Sequence, residues 1–247
     1  MSLNQVLPFV STVVMLVFTV SVLQRYAVRR KPHFLFWGIG LAMFGAGSFA
    51  EAYFALFGWS ALVFFLWYFF GAALNAGWIG HGTLMLLVRK RWRNIVTGLL
   101  ILGSLAAAAL MFQAMSHLDP AKFQAGIPIS EQYREIMPPV DAGGAVRLTT
   151  PFFNVYGLVT LVGGALWSAW LFLRKRVLPN RVIGNVLIAA GALSIGFAST
   201  LTRMGYGQLL YLGELIAAVL MYVGFIMAGR PEPAVEQQAV ASSVPAV

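Results

Sequence analysis

The chain has 247 residues, 60% of them hydrophobic and only 10% charged, with a net charge of +9; its mean hydropathy is +0.79 and its pI is near 10.3. A soluble domain carries about 25% charged residues, and here the basic residues sit in short loops between apolar runs, the pattern that orients helices in a membrane rather than one that binds nucleic acid. With no cysteine, disulfides, thiolate metal sites, iron–sulfur clusters and cysteine nucleophiles are excluded.

Several apolar runs reach the ~20 residues that cross ~30 Å of hydrocarbon. The first run lacks a basic leader and an A-x-A cleavage site, so it is expected to stay as a membrane helix. The sequence predicts an all-α polytopic membrane protein with seven transmembrane helices, at about Leu7–Ala27, Phe34–Phe57, Ala61–Val88, Ile95–Met115, Thr150–Leu173, Val182–Arg203 and Gln208–Ala228. Arg29, Arg30 and Lys31 follow the first helix, Arg89, Lys90, Arg91 and Arg93 the third, Arg174, Lys175, Arg176 and Arg181 the fifth, and Arg230 the seventh. The alternate short loops are nearly free of Lys and Arg. The positive-inside rule then puts the N-terminus outside and the C-terminus inside, in the plasma (inner) membrane of a bacterium.

The loop at 116–148 is extracytoplasmic in this reading. Ser130 is placed to cap a short helix running to Met137, which Pro138 and Pro139 stop. A solvated surface helix is the plainer expectation, a cover over an outer cavity the sharper one. The segment 230–247 has too few large apolar residues to fold and is expected to be a disordered cytoplasmic tail.

The chain also repeats. A shift of about 146 residues aligns Gly38 with Gly184, Gly45 with Gly191, Ser48 with Ser194 and Ala52 with Ala198. The first three helices thus match the last three, with the fourth as linker: a 3+1+3 parallel repeat, with a binding site expected between the halves. Small residues form stripes on the second, fifth and sixth helices that let backbones approach. The fourth helix has no strong polar group and is expected at the periphery.

The polar groups converge on one layer. At ~1.5 Å per residue, Glu51 and Glu214 each lie about 9 Å below the outer ends of their helices. Asn154 is slightly shallower, Tyr68 slightly deeper, Tyr211 one turn above Glu214, and Arg203 at the outer end of the sixth helix. A charged side chain at membrane depth is costly unless paired or wetted, so it marks a partner or a site. The plain reading is an Arg203–Glu214 ion pair pinning two helices, with Glu51 a protonated carboxyl bonded to a neighbour. The sharper reading takes Glu51, Glu214 and Arg203 as one site with a net negative charge, oriented by Asn154, Tyr68 and Tyr211. Such a site would attract a proton, a cation or an amine.

His81 reads as an interfacial hydrogen-bonded histidine. Haem held by His81 with His33 is a minor alternative, and no cofactor is expected. Three histidines without zinc-site spacing offer no metal centre. No nucleophile motif stands in a supporting context, so no catalytic residue is named and no enzyme is expected. The seven-helix, 3+1+3 layout resembles that of microbial rhodopsins and of SWEET-type sugar transporters. All four lysines, Lys31, Lys90, Lys122 and Lys175, fall in loops, which contradicts covalent retinal, and the proline–glutamine pair of SWEET-type repeats is missing. The first functional expectation is a transporter-like protein that binds a small solute, cation or proton in the outer third of the bilayer. The alternative is a non-transporting sensor or accessory subunit that docks a partner protein or a second copy of itself. The seven-helix sensor regions of bacterial signalling proteins have a similar texture.

Overall fold

A computed structural model describes residues 3–175, 178–204, 206 and 208–230, without the side chains of residues 3–5, Arg203 and Gln208. The expected disordered tail beyond Arg230 lies outside the described residues, as does Arg176 of the third basic loop. No strand occurs among the described residues, and seven helices are long and apolar enough to cross a membrane. The architecture is compatible with an integral membrane protein.

The helices are α1 (Leu3–Arg29), α2 (Pro32–Phe57), α3 (Ala61–Leu87), α4 (Lys90–Met115), the short α5 (Ile129–Ile136), α6 (Thr149–Arg174), α7 (Pro179–Arg203) and α8 (Gln208–Ala228). Several start earlier than the hydropathy suggests. Pro32 and Pro179 open α2 and α7 at the first helical position, where a missing N–H is harmless. In α4 the helix already includes Lys90–Arg93, because long basic side chains can lie along a helix and still reach water. Ser60 caps α3 by accepting from the Val63 N–H at 3.5 Å.

One feature of α3 is invisible to hydropathy. Residues Leu66–Leu74 wind as a π-helix before α-geometry resumes at Asn75. Extended π segments are rare and sit where a helix serves something other than packing. The Asn75 N–H bonds to Phe70 O, and the Ala72 carbonyl accepts from Asn154 Nδ2 of α6 at 3.2 Å.

Six spans close into a ring in the order α1, α2, α3, α6, α7, α8 and back to α1. Helix α4 stands outside it, against α3 and the long loop, as its lack of polar groups leads one to expect. The ring is filled by Met15, Phe18, Val22, Leu41, Phe44, Ile79, Leu161, Met221 and Phe225. Its outer aspect carries large apolar side chains such as Leu16, Phe152 and Phe197 exposed, as lipid contact requires. Glycine sets the closest approach. A Cβ on Gly47 of α2 would stand 2.7 Å from Gly71 Cα of α3, so these two backbones touch directly.

The long loop is not a freely solvated surface helix. Helix α5 is docked through Ile129, Gln132 and Ile136, and Met137 and Val146 are as deeply buried. Gln132 fastens the preceding turn: its Oε1 accepts from the Gln124 N–H at 2.7 Å, and its Nε2 donates to Gln124 O at 3.0 Å and Ile127 O at 2.7 Å. The helix cap is Pro128, not Ser130; the Ser130 hydroxyl is buried without a partner. Glu131, Arg134 and Glu135 take the exposed face. An eight-residue helix this amphipathic is stable only against a surface that takes its apolar side.

Candidate functional site

Glu51 projects from α2 into the ring at 2% exposure. Its Oε1 accepts from Trp67 Nε1 at 3.0 Å, and the π segment of α3 is what presents that indole. The second neighbour comes from α8: the carboxyl of Glu214 lies beside that of Glu51. A hydrogen bond between two carboxyls requires that one of them hold a proton, because each ionised oxygen can only accept. Two adjacent carboxyls can share one proton in this way. Glu51 Oε2 and Glu214 Oε2 are buried and have no hydrogen-bond partner among the described groups.

Two further oxygens lie in the same layer. Ser11 on α1 and Ser48 on α2 are 0% and 1% exposed, and neither hydroxyl has a partner. Thr19, two turns further along α1, and Ser130 of α5 are likewise buried without a partner, whereas Thr12, Ser21 and Ser104 turn back onto their own backbone, to Pro8 O at 2.7 Å, Val17 O at 2.8 Å and Leu100 O at 2.8 Å. The levels follow from neighbouring contacts. A Cβ on Gly45 of α2 would lie 3.4 Å from Met15 Cβ of α1, so Ser11, one turn earlier on α1, is at about the level of Ser48, and Glu51 is one turn beyond Ser48 on α2. Ser21 Oγ meets the Tyr222 hydroxyl of α8 at 3.2 Å, which sets Glu214 at the height of the Ser11 turn. A buried hydroxyl left unpaired costs about 1–3 kcal/mol. Orphaned oxygens gathered at one depth make a place for water, a hydronium or a hard cation, all of which need several oxygen partners.

An aromatic layer roofs the pair. Trp67 and Tyr68 of α3 pack against Tyr133 of α5 with ring centres 5.5 and 5.7 Å apart. Phe54 stacks on Trp59 at 6.0 Å and on Phe123 of the loop at 5.8 Å. The loop thus closes the outer face of the site.

The other sequence-predicted residues are placed as follows. Tyr211, 3% exposed, is within electrostatic reach of Glu51, Glu214 and Glu131. Tyr68 is buried, but its hydroxyl pairs with Thr150 Oγ1 at 3.2 Å and belongs to the aromatic roof. Asn154 is not brought to the acid pair: it is exposed on α6 and spends its amide on the Ala72 carbonyl. The side chain of Arg203 lies outside the described residues. Trp67, Ser11 and Ser48 are new to the site. Ser48 stands one turn from Glu51 on the same stripe, the single signal in the sequence that could have found it.

His81 sits elsewhere, fully buried between α3, α4 and α6. Its Nδ1 meets the Tyr156 hydroxyl at 2.7 Å and its Nε2 meets Thr97 Oγ1 at 3.0 Å. Both ring nitrogens thus have a hydroxyl partner. Among the described residues no group of three or more His, Asp or Glu could hold a metal ion. No known protein family, curated protein or solved structure matches this chain, so the site is read from its own geometry and chemistry.

Proposed function

We propose that the protein is a transporter-like integral membrane protein whose Glu51–Glu214 pair binds a proton or a small cation, with Ser11, Ser48, Trp67 and Tyr211 completing the site. One observation carries this reading: two carboxyls from the helices that flank α1 come together at membrane depth, with the Ser11 and Ser48 hydroxyls, which have no protein partner, in the same layer. An arrangement kept only for packing would be expected to pair those oxygens internally, since each orphan weakens the fold.

In this proposal the N-terminus is outside and the basic loops face the cytoplasm of a bacterial cell, so the acid pair sits in the outer third of the inner membrane. The 3+1+3 repeat is part of the same reading, and helix register supports it. Gly47 lies opposite Gly71 at the α2–α3 crossing. Moving both by 146 residues gives Leu193 opposite Ala217 at the α7–α8 crossing. There a Cβ on Gly191 would lie 3.0 Å from Ala217 O, and one on Gly184 2.6 Å from Gly224 O, a register that agrees to within about two residues. The ring order maps onto itself under this exchange, α1 with α6, α2 with α7, α3 with α8. Such a relation is produced by a two-fold axis along the membrane normal, and the acid pair then bridges the two halves.

The test is flux in liposomes. Protein reconstituted with a pH-sensitive dye inside should collapse an imposed pH or cation gradient. Glu51→Gln and Glu214→Gln, which keep the shape and remove the titrating group, should each abolish that activity. Unaltered proton- or cation-linked flux in both variants would overturn the proposal.

A further inference from the structure

We propose that the groove between the basic ends of α1 and α8 binds the phosphate headgroup of an anionic membrane lipid. The groove has a volume of about 360 Å³ and is lined by Gln24, Arg25, Val28 and Arg29 of α1 and by Phe225 and Ile226 of α8. Arg25 is held rather than loose: its guanidinium lies 4.0 Å over the Phe225 ring, and it lies so close to Gly229 that any side chain there would collide with it. Arg29 follows one turn later on the same face.

Among the described residues these two guanidiniums have no counter-charge. The single ion pair among the described residues joins Lys122 to Asp119 in the long loop, at 3.6 Å. All the acidic side chains among the described residues, Glu51, Asp119, Glu131, Glu135, Asp141 and Glu214, belong to the opposite end of the molecule or to that loop. Arginine forks present paired N–H donors that match phosphate oxygens, and the Gln24 amide adds a donor beside them.

Depth selects a lipid over a dissolved anion. Helix α1 has 27 residues, about 40 Å at 1.5 Å per residue, which matches a bilayer with its headgroups. Arg25 lies about 6 Å in from the helix end, at the boundary between headgroup and hydrocarbon. Exposed Val28 and half-buried Ile226 flank the groove, where an acyl chain would run. Basic pockets between membrane helices on the basic side of a protein have this chemistry.

The test is lipid retention on the whole protein, read by native mass spectrometry from micelles that hold equal phosphatidylglycerol and phosphatidylcholine. A basic residue near an anionic headgroup contributes about fivefold in affinity, so two should give a preference for phosphatidylglycerol of about 25-fold. Arg25→Gln should lower it to about fivefold, and Arg25→Gln with Arg29→Gln should bring it near parity. Arg91→Gln, a change in a different basic loop, should leave it unchanged. Equal retention of both lipids by the wild type, retained preference in the double variant, or an equal fall in Arg91→Gln would overturn the site. Displacement of the lipid by excess inorganic phosphate would overturn the lipid as its occupant.

Discussion

The acid pair makes a quantitative prediction that does not depend on transport. Glu51→Ala removes one carboxyl and leaves the buried Glu214 carboxyl without the neighbour that could share its proton; Glu214→Ala does the reverse to Glu51. Each orphaned oxygen costs about 1–3 kcal/mol. The double alanine variant has no carboxyl left to orphan, so its loss should be smaller than the sum of the two singles. The coupling energy is expected at about 1–3 kcal/mol. Glu51→Gln behaves differently. Its amide oxygen can still accept from Trp67 Nε1, and its NH₂ donates to Glu214, so its stability should stay within about 0.5 kcal/mol of wild type. The assay is thermal unfolding in one detergent for wild type, the three single variants and the double alanine variant. At about 2–4 °C per kcal/mol for a chain of this size, the alanine losses are resolvable. Additivity of the two alanine changes to within about 0.5 kcal/mol, or a Glu51→Gln protein as unstable as Glu51→Ala, would refute a shared-proton contact between these side chains.

Two further outcomes follow from the packing. Gly47→Val should push α2 and α3 apart and cost about 1–3 kcal/mol or more, because its Cβ would meet Gly71 backbone at 2.7 Å; Gly45→Ala, whose Cβ would lie 3.4 Å from Met15 Cβ, should change little, and equal unfolding temperatures for the two would contradict the backbone contact. His81→Phe strips partners from the Tyr156 and Thr97 hydroxyls, an expected loss of about 2–6 kcal/mol at about 1–3 kcal/mol each. The purified wild type should show no Soret band, and a band that vanished in His81→Phe would contradict the assignment of both nitrogens.

The α5 loop shows where sequence reading and structure part company. Glu131, Arg134 and Glu135 make the segment look solvated, and its exposed face is. What decides its role is the surface beneath it, since Ile129, Ile136 and Met137 are buried only because Phe54, Trp67 and Tyr68 arrive there from other helices. Ser130 has the right chemistry for a helix cap but is one residue inside the helix, because Pro128 already fixes the start. Asn154 has the right depth and the wrong face: it is taken by a carbonyl that the π segment leaves available.

The number of spans, their order and the peripheral place of α4 were legible in the chain alone. Lipid tolerates only helices whose backbone groups are satisfied within each segment, so a run of apolar residues is almost a structural instruction. Glu51 and Glu214 were legible as anomalies for the same reason, being carboxyls where water is scarce. Their shared depth allowed the expectation that they form one site, but the donation from Trp67 and the company of Ser11 and Ser48 were not legible. Those depend on how each helix is rotated and which helices adjoin. Rotation and neighbours are set by glycine contacts between distant segments and by a π turn that shifts one face of α3, and neither leaves a periodic mark in the sequence.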